Sequence, residues 1–155
     1  MATWAEALPL TGLGPRVSGV GQRSYRLESC SAVVSAGFAG ACRKDLRVGD
    51  LLLSGTAPPE LQDALQPVDG TLRTVDHVAG PAEKAQLGET GAAAVDMETA
   101  WIEAAARQLG ILFLGVRVII DLVHDRPLSA ATAMHYPAAA CRLRQVVRSV
   151  LKVWP

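Results

Sequence analysis

The stretch that decides the fold runs from Ala92 to Asp121 and reads AAAVDMETAWIEAAARQLGILFLGVRVIID. It begins with a short apolar run, Ala92–Val95, which predicts a buried strand. Apolar side chains then recur at three- and four-residue spacing, which predicts an amphipathic helix that opens at Asp96 and stops at Gly110. A continuous apolar run over Ile111–Ile120 is typical of a strand covered on both faces. Strand, helix and strand in this order predict a three-layer α/β/α fold with a mainly parallel (mixed) central sheet.

The segments on either side of this stretch complete the predicted sheet and its covering helices. They are a strand over Val33–Ala36 that ends in a tight loop at Gly37–Gly40, strands over Leu51–Ser54 and Thr71–Val78, mostly loop over residues 55–70 with one helical turn at Glu60–Leu65, and an amphipathic helix over Tyr136–Val153. The Arg and Lys side chains of the last helix are interpreted as a solvated face.

Polar or glycine-rich residues follow three of the predicted strands. These clusters are Gly37–Gly40, Asp96–Thr99 and Asp121. In open α/β sheets the ligand crevice lies beyond the carboxyl ends of the strands, so we expect the three clusters at one edge of the sheet. Arg117 lies four residues before Asp121, and the alternation of side chains along a strand places both on the same face.

Composition narrows the functional class. The 155 residues suffice for one domain, and 15 basic residues balance 15 acidic ones. This balance gives no electrostatic reason to expect nucleic acid or an anionic membrane as the main partner. Three cysteines without C-x-x-C spacing argue for a reducing compartment, and the three histidines have no metal-site spacing. Since the N-terminus lacks the pattern of a signal peptide, we expect a cytoplasmic protein.

Four segments, taken in order, resemble one known family. They are the turn Thr11–Pro15, the glycine-rich segment Ser35–Gly40 with Leu46–Leu51 after it, the segment Gly91–Ala100 and the strand end Arg117–Asp121. They resemble the TGMGP turn, the glycine-rich loop with its VGD, the ribose-binding AVDMES/T and the R-x-I-S-D of purine nucleoside phosphorylases and methylthioadenosine/S-adenosylhomocysteine nucleosidases. The sequences of these segments are most similar to those of the hopanoid-associated phosphorylase and futalosine hydrolase branches. The resemblance implies a single phosphorylase-like domain over residues 1–155, shortened by the family's first strand and helix.

The resemblance also implies a reaction and its residues. The reaction is cleavage of the N-glycosidic bond of a purine-type nucleoside, by phosphate as a transferase or by water as a hydrolase. Asp121 is then the general acid that protonates the leaving purine, and Arg117 helps to orient the attacking water. The other implied contacts are Met97 and Glu98 on the ribose, Phe38, Ala39 and Gly40 on the substrate, and Gly12, Gly14 and Gly37 on phosphate or water.

Some positions differ from the family pattern and leave a second function open. Ile120 stands where the family commonly has Ser, and Phe38 stands at a position that is Ser in many nucleosidases. The alternative is a degenerate member that binds a nucleoside-like ligand, or a partner, without catalysis. In either case we expect no cofactor and no metal, with phosphate as a candidate co-substrate. The exposed edges of such a sheet also favour a homodimer or larger assembly, with Trp4, Leu8 and Leu10 as candidate contacts.

Overall fold

The structure, a computed structural model, describes Leu27, residues 30–127 and residues 129–154. In chain order its elements are β1 (Ala32–Ala41), β2 (Leu51–Gly55), α1 (Pro59–Leu65), β3 (Thr71–Thr74), α2 (Pro81–Glu89), β4 (Ala92–Asp96), α3 (Thr99–Gln108), β5 (Leu112–Asp121) and α4 (Ala130–Val153). The predicted α/β fold with a mixed central sheet is confirmed. None of the helices in the described ranges has both the length and the apolar composition that a membrane span requires.

The five strands form one sheet in the order β2-β5-β1-β4-β3. The pairs β1–β5 and β3–β4 are parallel, whereas β2–β5 and β1–β4 are antiparallel. The expectation that β4, α3 and β5 form a parallel crossover is wrong. The reason is that the earlier strand β1 lies between β4 and β5 and pairs with β4 antiparallel, through Gly40 and Ala41.

Helices cover both faces of the sheet. Helix α4 packs on one face, where buried side chains of the helix meet those of β5: Ala139, Leu143, Val146, Val147 and Val150 against Leu114, Val116 and Val118. Each such Val or Leu side chain stabilises the fold by about 1.5–3 kcal/mol relative to full exposure. Helix α3 covers the opposite face, where Ala106 packs on Phe113. Helix α2 contacts β4 through Leu87, which packs against Val95.

Two predicted boundaries are wrong, and each has a physical reason. Gly37–Gly40 is not a loop, since β1 continues through it to Ala41 and pairs with β5 along its length. Glycine within a strand permits a close approach: a Cβ on Gly40 would lie 3.1 Å from the Asp121 carboxyl group. Helix α3 begins at Thr99 rather than Asp96, because the Asp96 carboxylate accepts a hydrogen bond from the Thr99 N–H at 2.9 Å.

The remaining differences concern length. Strand β3 ends at Thr74, and the single turn predicted near Glu60 is the seven-residue helix α1. Helix α4 begins at Ala130, where the Ser129 hydroxyl caps it by accepting from the Thr132 N–H. Helix α2 was not predicted from the sequence at all.

Candidate functional site

The carboxyl ends of three strands meet at Gly40. This residue pairs with Val95 at the end of β4 and with Asp121 at the end of β5. The segments Gly37–Gly40 and Asp96–Thr99 therefore lie near Asp121, as expected, but β4 runs antiparallel to β1 and β5, so its carboxyl end points the opposite way and does not share their edge of the sheet.

A bulge at Ile120 separates the side chains of Arg117 and Asp121. Arg117 pairs with Gly37, but the register then shifts, so that Asp121 pairs with Gly40 and Ile120 is an extra residue. Paired residues point to the same face, and Gly37 and Gly40 are three residues apart in β1, so they point to opposite faces. The expectation that Arg117 and Asp121 share a face is wrong.

Arg117 is the centre of a buried network on the face that α3 covers. The residue is 2% exposed. Its Nε donates to Asp96 Oδ2 at 2.8 Å, Nη1 to the Ser35 carbonyl oxygen at 2.8 Å, and Nη2 to Ser35 Oγ at 2.9 Å. The Glu98 carboxylate lies 4.0 Å from Nη2 and is itself buried. The guanidinium thus joins the Asp96 carboxylate to β1 through hydrogen bonds and places a positive charge near Glu98.

Asp96, which was not predicted as a site residue, anchors this network. Besides Arg117 it accepts from the Thr74 hydroxyl at 2.6 Å and from both the N–H and the hydroxyl of Thr99. Asp96 and Glu98 flank Met97, which is half-buried between β4 and α3. The fully occupied Asp96 carboxylate fixes the backbone from which Met97 and Glu98 project.

Asp121 lies on the other face and has a different partner, Lys84 of α2. Lys84 is fully buried. Its ammonium group donates to Asp121 Oδ2, to the Leu122 carbonyl oxygen at 2.6 Å and to the Asp125 carbonyl oxygen at 2.9 Å. An ammonium group has three protons, so all of its donors are used. Sequence reasoning missed Lys84, although Gly80-Pro81 before Glu83 is a helix-start signal.

Burial raises the pKa of two groups close to Lys84, the Asp121 carboxyl group and the Cys42 thiol. It raises the pKa of Asp121 above its ordinary value, an effect that the hydrogen bond and charge of Lys84 oppose. Asp125 raises the pKa of Asp121 further, and His135 lowers it. Burial also raises the pKa of the Cys42 thiol to about 11, so the thiol is neutral at ordinary pH. Asp121 therefore retains its proton to a higher pH than an exposed aspartic acid.

The remaining predicted residues have mixed surroundings. Phe38 points toward α4, where its ring meets that of Tyr136 edge to face with centroids 5.9 Å apart. Gly37 and Ala39 are buried within β1. Gly12 and Gly14, like the candidate contacts Trp4, Leu8 and Leu10, lie outside the described residues. Within the described ranges, no group of His, Cys, Asp and Glu side chains has the arrangement of a metal site.

A cavity opens just beyond the ends of β1 and β5. It has a volume of about 280 Å³ and is lined by Arg43, Lys44, Leu46, Leu122, Val123 and His124. The site residues predicted from the sequence are not among the described residues that line it, although Leu122 directly follows Asp121.

Comparison with known proteins agrees with the resemblance seen in the four sequence segments. The family model of the phosphorylase superfamily matches residues 64–152, which is more than half of the chain. The search of curated proteins gives no match.

Solved structures with this fold include several nucleosidases. The 5′-methylthioadenosine nucleosidase of Arabidopsis thaliana, in apo form, is 20% identical with a TM-score of 0.67, over 79% of this chain and 61% of that one. The S-adenosylhomocysteine nucleosidase of Streptococcus pyogenes, in complex with 5-methylthiotubericidin, is 22% identical with a TM-score of 0.66, over 81% and 69%. The futalosine hydrolase of Helicobacter pylori is 19% identical with a TM-score of 0.61, over 79% and 68%. The chain spans 61% of the length of the first nucleosidases that it matches.

Proposed function

Because the chain belongs to the phosphorylase superfamily, we propose that it cleaves the N-glycosidic bond of a purine-type nucleoside, with phosphate or water as the acceptor. The observation that carries the proposal is the pair of buried carboxyl groups, Glu98 and Asp121, at strand ends that meet at Gly40. Glycosidic cleavage needs a proton for the leaving base and negative charge near the sugar, where positive charge develops in the transition state. In this proposal Asp121 supplies the proton and Glu98 the negative charge.

Glu98 is the proposed sugar ligand. A carboxylate accepts two hydroxyl donors at once, as the 2′ and 3′ hydroxyls of a ribose require. Arg117 lies beside Glu98, but its own N–H groups are directed to Asp96 and Ser35. These contacts support a positioning role for Arg117, which holds Glu98, in place of the water-orienting role that the resemblance implies.

Asp121 is the proposed general acid. Its raised pKa favours the protonated form that such an acid needs. Lys84 donates to Oδ2, so the transferable proton belongs on Oδ1. Since Glu98 and Asp121 extend from opposite faces of the sheet, a nucleoside that contacts both must reach past the end of β1. Met97, Phe38, Ala39 and Gly40 remain the proposed substrate contacts, and Gly12, Gly14 and Gly37 the proposed contacts of phosphate or water.

Binding without turnover is the second candidate. The observation in its favour is that Asp121 is already hydrogen-bonded to a fully buried ammonium group, an arrangement that can serve stability alone. For either function we expect a cytoplasmic homodimer or larger assembly.

The test is an assay for free base released from a panel of purine and pyrimidine nucleosides, with and without phosphate. Chromatography measures the released base. We expect base release from purine nucleosides, and dependence on phosphate decides between the two acceptors. Asp121→Asn is the inactive control, and Asp63→Asn, at an exposed position of α1, is its matched active control. Nucleoside binding by calorimetry without any base release would favour the second candidate over the first.

A further inference from the structure

Lys84 is an unusual lysine in this chain. Of the three lysines, Lys44 and Lys152 are exposed, whereas Lys84 is 0% exposed. Burial of an ammonium group costs several kcal/mol unless strong partners compensate it, so buried lysines are rare. A specific reason for the charge is therefore expected.

The surroundings of Lys84 are built around its ammonium group. Its three acceptors come from the end of β5 and the turn that follows: the Asp121 carboxyl group and the carbonyl oxygens of Leu122 and Asp125. The same turn is closed by the Leu122 N–H, which donates to Asp125 Oδ2 at 2.9 Å. Gly40 completes the enclosure, since a Cβ there would lie 3.2 Å from Lys84 Cδ. The ammonium group thus fixes the one segment that carries Asp121.

We propose that Lys84 is a positioning residue for the general acid: its ammonium group holds the Asp121 carboxyl group beside Gly40 and balances the negative charge left there by proton transfer. The inference rests on the proposed glycosidic cleavage. In the step, the Oδ1–H bond of Asp121 breaks and the proton goes to a ring nitrogen of the base, while the glycosidic electron pair leaves with the base. Asp121 becomes a carboxylate and Lys84 keeps its three protons. The proton released when water attacks, or a solvent proton when phosphate attacks, restores the carboxyl group.

The charges around Asp121 agree with this role. The titratable groups that face it are Lys84 from α2, Asp125 after β5, His135 from α4 and the neutral Cys42 thiol after β1. Lys84 lowers the pKa of Asp121, against the larger effect of burial. Without Lys84, burial and Asp125 remain, so the pKa of Asp121 rises further. A general acid acts while protonated, and its activity is lost as pH rises through its pKa. Loss of Lys84 therefore moves the basic limb of the rate profile to higher pH.

The main test is Lys84→Met, which keeps an unbranched side chain one atom shorter and removes the charge. We measure kcat and KM against pH with whichever nucleoside the panel identifies. The expected result is a kcat about 10–100-fold lower, KM within about twofold, and a basic limb about one to three pH units higher, the usual range for loss of an adjacent opposite charge. Lys152→Met, which removes an exposed lysine from α4, should leave all three quantities unchanged. An unchanged kcat and an unmoved basic limb in Lys84→Met would overturn the inference and leave the proposed function standing.

A second measurement keeps the inference independent of activity and of the folding of that variant. The carboxyl carbon of Asp121 is titrated by NMR in the wild-type protein and in Lys84→Met, with the expected upward shift of its pKa. If no nucleoside is cleaved, the proposed function fails, and this titration still decides whether Lys84 controls Asp121. If Lys84→Met does not fold, the double variant Lys84→Met/Asp121→Asn replaces it, because no unpaired charge is then buried. It should be more stable than Asp121→Asn alone, and a less stable double variant would contradict the pairing.

Discussion

The two faces of β5 each carry a buried cation beside a carboxyl group, and the two pairs are built differently. On the α3 face, the Arg117 guanidinium donates to Asp96 and Ser35, and Asp96 accepts from Thr74 and Thr99 as well. On the opposite face, the Lys84 ammonium group also uses all of its donors. Its carboxyl partner Asp121, however, accepts from Lys84 at Oδ2, whereas Asp96 accepts from several side chains.

This difference suits the first pair to a structural role and the second pair to the proposed catalysis. Both oxygens of the Asp96 carboxylate accept hydrogen bonds from neighbouring side chains, an arrangement that suits a structural role. At Asp121 burial is the largest influence, and it raises the pKa of the carboxyl group. In the proposed function the Arg117–Asp96 pair supports Glu98, and the Lys84–Asp121 pair serves acid catalysis. Substitutions on the two faces should then have different consequences.

The largest effect on turnover is expected for Asp121→Asn. The amide cannot act as an acid, so kcat should fall about 10²–10⁴-fold, the usual contribution of general acid catalysis. Binding of the nucleoside, measured by calorimetry, should change little because the shape of the side chain is kept. A loss of binding as large as the loss of kcat would show that Asp121 holds the ligand instead.

On the other face the largest effect should be on stability. Arg117→Met leaves the Asp96 carboxylate buried without its cation, and removal of one partner of such a pair costs about 3–5 kcal/mol. Urea unfolding of the variant and the wild-type protein measures this loss. Arg107→Met is the matched control, because its partner Glu103 forms an exposed helical pair worth about 0.3–0.5 kcal/mol. Equal free energies of unfolding for the two variants would remove the structural role given to Arg117.

Glu98→Gln tests the first face through the binding of two ligands, a nucleoside and its free base. The amide offers one acceptor oxygen where the carboxylate offers two, so a ribose loses part of its hydrogen bonding. We expect about tenfold weaker binding of a nucleoside, a loss typical of a hydrogen bond to a charged group, and unchanged binding of the free base. Calorimetry with both ligands provides the measurement. Equal weakening of nucleoside and free base would mean that Glu98 does not contact the sugar.

The sequence predicted the parts of this arrangement that depend on local pattern. Apolar periodicity located β4, α3 and β5, whereas the roles of Glu98 and Asp121, taken from the strand-end clusters and the resemblance, stay predictions. It could not locate the bulge at Ile120, because one extra residue in a continuous apolar strand leaves no local mark. Nor could it identify Lys84, which is 37 residues from its partner in the chain.

The segment Gly37–Gly40 is a second case in which local sequence pattern could not predict the structure. Gly37–Gly40 has the composition of a loop, but it is the end of a strand that must pass close to its neighbours. Glycine content alone does not distinguish a turn from a close approach. The distinction depends on what lies opposite each glycine, and for Gly40 this is the Asp121 carboxyl group.

The smallest expected effect concerns Gly40 itself, where the Asp121 face meets the end of the sheet. In Gly40→Ala the new methyl group would lie 3.1–3.2 Å from both Asp121 carboxyl oxygens and from Lys84 Cδ. These atoms belong to the ends of side chains and can shift by a few tenths of an ångström, so the loss of stability should be about 1 kcal/mol, at the low end for overpacking. Displacement of Asp121 should also lower kcat by about tenfold, a larger effect than the small loss of stability would suggest, because catalysis depends on the placement of the acid.

Gly80→Ala is the control, since nothing lies within 4 Å of a Cβ at that position. Urea unfolding and kcat measured on both variants complete the test, and a Gly40→Ala protein with full kcat would show that Asp121 tolerates displacement and is not the group that acts on the leaving base.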